Sequence, residues 1–174
     1  MPTPHRCSTV LGVLLLTLLT LALPGPLGAD GGGGSGALGG APAKPEDPQY
    51  TAAVKAIKAN EYAKAIPLLQ GVVSRDDKNA DAYNWLAYAT RKTGDPAASL
   101  PLYQKALAID PKHKGAHEYI GEAYLALDNL PKAKEHLARL NRLCLFSCEQ
   151  YRDLKKAVES YEKSGGKVKP TASN

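Results

Sequence analysis

The chain has 174 residues, with 22 Lys and Arg against 17 Asp and Glu and a net charge of +5. That length holds one domain beside its terminal segments. The basic excess is mild, part of it in Lys155, Lys156, Lys163, Lys167 and Lys169 near the C-terminus, whereas a nucleic-acid surface presents a denser basic face interleaved with aromatics.

At the N-terminus, His5 and Arg6 precede an apolar, uncharged run from Val10 to Leu23. The run is shorter than the roughly 20 residues a transmembrane helix needs, and it suits the core of a secretory signal peptide. Pro24-Gly25-Pro26 breaks any helix there. The small residue Ala29 offers a cleavage point, so residues 1–29 are expected to be removed and the protein exported to a periplasm or to the extracellular space, with an uncleaved N-terminal anchor as the competing reading. Export without a remaining apolar span implies no stable membrane insertion. Arg6 is the one charge lost, which leaves 21 basic against 17 acidic side chains, or +4. Residues 30–47 are rich in Gly, Ala, Ser and Pro and carry too few apolar side chains to offset their ordering entropy. They are expected to form a flexible linker, and residues 164–174 a disordered tail.

Between these ends the sequence repeats at a period of 34. Copies begin at Glu46, Ala80 and Lys114. Ala53, Ala87 and Gly121 fall at the eighth place of each copy, and Ala65, Ser99 and Ala133 at the twentieth. Small residues at these two places let two helices cross closely. Pro111 ends the second helix of the middle copy. A single helix pair cannot bury its own apolar face, but three stacked pairs can if the last is covered.

This pattern resembles the tetratricopeptide repeat family. The stretch Ala80 to His113 is close to a full consensus copy, with Gly94-Asp95 at the interhelical turn and Ala106 to Pro111 at its end. The resemblance implies an all-α fold: a right-handed superhelical stack of three helix–turn–helix units over residues 48–147. Helices are expected near 48–59, 62–74, 80–93, 96–109, 114–127 and 131–143. Pro101 interrupts the fourth and puts a straight helix there in question. The third copy lacks the terminal Pro and has Cys144 and Leu145 instead.

A seventh helix is expected over 148–163. Ser147 and Gln150 form a capping-box signature, and Tyr151, Leu154, Val158 and Tyr161 make one apolar stripe. Such a helix covers the open end of a repeat array. A detachable, partner-binding helix is the competing reading.

By the family register, the first helices of the pairs line a concave groove. Carried onto this chain, the register nominates Tyr50, Asn84, Tyr88, Arg91, Glu118, Glu122 and Leu125 as peptide-contacting residues. Glu118 and Glu122, one helical turn apart, are expected to face a basic residue of the ligand, with Tyr88 and Leu125 giving apolar contacts. The implied function is non-catalytic: a scaffold or chaperone-like adaptor for a protein or peptide.

Cys7 leaves with the signal peptide, so Cys144 and Cys148 remain. An even count in an exported chain favours a disulfide, which would staple the seventh helix to the array. The paired cysteines before a Tyr-x-Asp-Leu helix also resemble the tails of small exported proteobacterial repeat proteins. The alternative is thiol-redox chemistry, because Cys148 stands near a helix N-terminus that favours the thiolate. Against it, the spacing is C-x3-C and no strand pattern accompanies it. Histidines 113, 117 and 136 do not form a metal-ligand pattern. No phosphate loop or catalytic constellation is evident, so neither a cofactor nor an enzyme activity is expected.

Overall fold

The computed structural model of the protein describes residues 47–166. The expected signal peptide, almost all of the linker and the tail from residue 167 lie outside the described residues. Among those described, the secondary structure is helical throughout: α1 (Pro48–Lys58), α2 (Tyr62–Arg75), α3 (Ala80–Lys92), α4 (Pro96–Ile109), α5 (Lys114–Ala126), α6 (Leu130–Leu143) and α7 (Glu149–Lys163).

Local chemistry explains where the helices start. Asp47, Asn79, Asp95, His113 and Asn129 each accept a hydrogen bond from a backbone N–H in the first turn of the helix that follows, satisfying a donor that has no intrahelical partner. Pro48, Pro96 and Pro131 stand in first turns, where a missing N–H costs nothing.

The turns inside the pairs repeat as strictly as the helices do. Asn60, Gly94 and Asp128, spaced by 34, all adopt positive φ, at 59°, 101° and 55°. Gly, Asn and Asp are the residues that tolerate this left-handed region best. The reversal between helices is thus encoded three times by residues that look unrelated.

Pro101 does not break α4. The helix runs unbroken from Pro96 to Ile109, and Pro67 occupies the same repeat place inside α2. Each proline removes one N–H, which would have bonded to the carbonyl of Ala63 or Ala97. Those alanines and both prolines are exposed, so water is available to the freed carbonyls.

The core runs the length of the stack. Ala53, Ile57, Leu69, Val72 and Leu86 fill the first part, and Tyr103 with Ile120 the middle. Leu125, Leu140, Leu154 and Val158 fill the last part. The small residues Ala65, Ser99 and Ala133 at the twentieth place are fully buried. Gly121 is small for a different reason than a crossing within its own pair. A Cβ there would come within 2.6 Å of Leu154, which lies on α7.

The seventh helix differs from expectation at its start. Cys148, not Ser147, is the N-cap, and no side chain caps the helix. Ser147 instead offers its carbonyl to Arg152 Nη1 at 2.9 Å. The capping box fails because Ser147 lies one residue outside the cap position. Packing of α7 is also distinctive. α3 and α5 rest mainly on the second helix of the preceding pair, whereas α7 leans more on α5 than on α6.

Candidate functional site: the inner face of the stack

The first helices touch one another in order, α1 on α3 and α3 on α5, while second helices of successive pairs do not meet. The stack therefore curves with α1, α3 and α5 on its inner side. Four aromatic rings cross this side. Tyr88 on α3 sits centrally, 5.8 Å from Tyr62, 5.7 Å from Trp85 and 4.8 Å from Tyr119, measured between ring centroids. The Tyr62 and Trp85 contacts with Tyr88 are edge-on, a favoured aromatic geometry. Burial pushes the Tyr88 hydroxyl up to about 12, so it remains a neutral donor.

Two cations lie over these rings. Arg91 is 5.4 Å from the Tyr88 centroid and Lys92 is 5.6 Å from that of Tyr62, both within cation–π range. Arg91 also bonds Glu122 on α5 at 2.6 Å, a pair with side-chain exposures of only 13% and 28%. Between α1 and α3 an open depression of ≈ 500 Å³ is lined by Tyr50, Thr51, Val54, Lys55, Lys58 and Trp85. Its rim is basic and its floor apolar and aromatic.

The residues nominated from the register separate into two groups. Tyr50 and Tyr88 are half-buried on the inner face, and Tyr50 lines the depression. Asn84, Leu125 and Glu118 do not offer an open surface. Asn84 is 3% exposed, and its Oδ1 has no hydrogen-bond partner. Leu125, also 3% exposed, belongs to the core beneath α7. Glu118 is 7% exposed. Burial raises its pKa to about 8, and Glu122, Asp153 and Glu149 push in the same direction. The expected acidic end of the groove is therefore absent as a ligand surface. Glu118 is buried and Glu122 is neutralised by Arg91. The physical reason is the lean of α7 onto α5, which closes that end of the inner face.

Trp85 and Tyr119 were missed. Both occupy the sixth place of their copies, a recurrence of aromatics visible in the sequence but outside the family's usual groove positions. A histidine pair also escaped notice. His117 Nε2 lies 3.1 Å from the Pro111 carbonyl, and its Nδ1 lies 2.9 Å from Nδ1 of His136. A carbonyl only accepts, so His117 carries its proton on Nε2, and His136 donates from Nδ1. Burial lowers both pKa values, that of His136 to about 4, which suits two neutral rings. Among the described residues, no group of three or more His, Cys, Asp or Glu side chains is placed to hold a metal.

Cys144 and Cys148 approach each other across the turn from α6 to α7, with Cα atoms 5.6 Å apart. That separation lies within the span of a disulfide. Cys144 takes the repeat place held by Asp76 and Asp110 in the earlier copies.

A curved stack of helix pairs with an inner aromatic face defines a helical-repeat binding module. Two models of the tetratricopeptide repeat match residues 50–114 and 90–158, together spanning more than half of the chain. The chain belongs to that family. Protein FlbA of Caulobacter vibrioides is 41% identical over 61 residues, which are 35% of this chain and 10% of that protein. The chain thus matches about a tenth of the length of this relative. Among solved structures, the type III secretion translocator chaperone SycD of Yersinia enterocolitica aligns with a TM-score of 0.61 at 16% identity, covering 68% of this chain and 84% of that one. The first repeat domain of Spaghetti (RPAP3), bound to the HSP90 peptide SRMEEVD, aligns with a TM-score of 0.59 at 22% identity, covering 66% and 90%. SycD in complex with a peptide of the translocator YopD gives a TM-score of 0.57 at 17% identity, covering 67% and 88%. At these identities the likeness concerns the fold.

Proposed function

We propose that this protein is a non-catalytic adaptor or chaperone of the bacterial periplasm that holds a short peptide segment against its inner face. The observation that carries this reading is the open, basic-rimmed aromatic surface of Tyr50, Trp85 and Tyr88 with Lys55 and Lys58. An apolar or aromatic ligand side chain would seat in the depression, and neighbouring acidic groups would meet the lysines. The ligand chemistry is thus acidic rather than basic. The solved structures of SycD with a YopD peptide and of RPAP3 with an HSP90 peptide support a peptide as the partner class. The expected signal peptide supports export, and Cys144 and Cys148 would then be joined in a structural disulfide.

Fluorescence of Trp85, the chain's sole tryptophan, provides the test. Titration with a peptide library should find acidic-aromatic segments that shift its emission. Tyr88→Ala and Lys58→Glu should each weaken the best binder about tenfold or more. Equal binding by both variants would remove this surface as the site.

A second reading rests on Cys148 standing as the N-cap of α7, where the helix dipole stabilises a thiolate. In that case the pair acts in thiol exchange. Replacing both cysteines by Ser separates the readings. Retained peptide binding with lowered stability supports the adaptor, and unchanged stability with lost thiol exchange supports the redox role.

A further inference from the structure

The turn between α6 and α7 presents two large apolar side chains to water. Leu145 and Phe146 are each 92% exposed, whereas the next most exposed large hydrophobic among the described residues, Leu127, is at 38%. Isolated exposed apolar residues are ordinary, but two adjacent ones at near-full exposure contribute nothing to the core. Their turn is held on both sides. Cys144 and Cys148 meet across its base, and Arg152 clasps the Ser147 carbonyl.

Basic side chains flank the turn. Arg142 lies on the last turn of α6, is exposed and makes no ion pair among the described residues, whereas the half-buried Arg139 lies toward His117 on α5. Arg152 approaches from the first turns of α7. The acids of that region, Glu149 and Asp153, lie close enough to Glu118 on α5 to raise its pKa, which places them toward the α5 side.

We propose that this turn is a membrane-contact tip, with Leu145 and Phe146 entering the interfacial layer of an anionic lipid surface and Arg142 and Arg152 pairing with its headgroups. An aromatic ring and an aliphatic side chain at such a depth leave water, and basic residues beside them gain from the surface potential. The contact is peripheral. No described helix is long and apolar enough to cross a membrane. The inner face of the stack takes no part, so peptide capture and lipid contact are separable.

The test uses residues 30–174, which keep the whole helical array and omit the apolar N-terminal run that would bind lipid by itself. Flotation is measured with vesicles of phosphatidylcholine and with vesicles mixed equally with phosphatidylglycerol. Binding to the mixed vesicles, declining with added salt, is expected, with little binding to phosphatidylcholine alone. The double change Leu145→Ser/Phe146→Ser should reduce partition by about tenfold or more. Arg142→Gln/Arg152→Gln should reduce it several-fold and flatten the salt dependence. Neither apolar side chain packs on the array, so the Ser variant should keep the wild-type urea midpoint. In a Trp85→Phe/Phe146→Trp chain, whose one tryptophan stands at the tip, emission should shift to the blue on adding mixed vesicles. The proposal is overturned if the wild type fails to float, or if the Ser variant floats equally. It is also overturned if the Trp reporter responds to envelope proteins and not to vesicles, which would make the tip a protein contact.

Discussion

Substituting Gly121 by Ala tests how the stack is closed. In a solvent-facing helix this change stabilises by about 1 kcal/mol, through restricted backbone freedom. Here the added methyl meets Leu154 Cδ2 at 2.6 Å and Cδ1 at 2.7 Å, so the fully buried Leu154 must shift inside the core. Overpacking of this kind costs about 1–3 kcal/mol. The net expectation for Gly121→Ala is therefore a loss of about 1 kcal/mol. Leu154→Ala alone leaves a cavity and should cost about 2–5 kcal/mol. Combined, the new methyl occupies space that Leu154 vacates and the helix preference returns. The double variant should then be about 1 kcal/mol more stable than Leu154→Ala alone, a coupling of about 2 kcal/mol. Urea unfolding of the four chains, followed by far-ultraviolet circular dichroism, closes the cycle. Gly121→Ala stabilising the chain by itself, or additivity within about 0.5 kcal/mol, would refute the placement of α7 on α5.

Other consequences can be measured on the same chain. Glu118 has a folded pKa near 8 against an ordinary value of 4.5, so the folded state holds a proton that the unfolded chain has released. Its stabilising effect is complete below about pH 4.5 and is lost as pH rises toward 8; Glu118→Gln should abolish that slope and stabilise the chain by roughly 2–4 kcal/mol at pH 8. The histidine pair acts in the opposite sense, since His136 falls to about 4 from 6.5. Stability should drop as pH falls between those values, and His136→Gln should lessen the drop. Nitrogen-detected NMR at neutral pH should find the proton of His117 on Nε2 and that of His136 on Nδ1, and the reverse assignment would break the proposed bond. Arg91→Met leaves Glu122 without its partner and should cost about 2 kcal/mol by thermal unfolding.

The period of 34 in the sequence locates the helix pairs, because small residues at the eighth and twentieth places, and Pro111 after the second pair, act locally. The turn code was only partly legible. Gly94 signals a left-handed residue by itself, while Asn60 and Asp128 do so only once the three positions are aligned. Pro101 misleads because the rule against helix-interior proline assumes a buried or needed N–H, and this one faces outward. The site was harder to read. The apolar stripe of α7 says that it covers something, but no periodicity says which helix it leans on. Glu118 and Leu125 were assigned to an open groove for that reason, and their burial follows from a tertiary choice. Asn84 goes under the inner surface in the same way, while Trp85 and Tyr119 stay on it.

The exchange of Asp for Cys at the end of the third copy changes how the chain leaves the repeating pairs. Asp76 and Asp110 each accept a hydrogen bond from a backbone N–H two residues on, that of Lys78 or Lys112, and so turn the chain into another helix pair. Cys144 lacks that acceptor and meets Cys148 instead. The chain therefore leaves the repeating turn at Cys144 and enters α7 by a different one. A further 34-residue unit inserted at the boundary between His113 and Lys114 would lengthen the inner face by one helix pair and carry α7 with its tip outward unchanged. The exchange of Asp for Cys thus marks the place where the repeating turn gives way to the one that leads into α7.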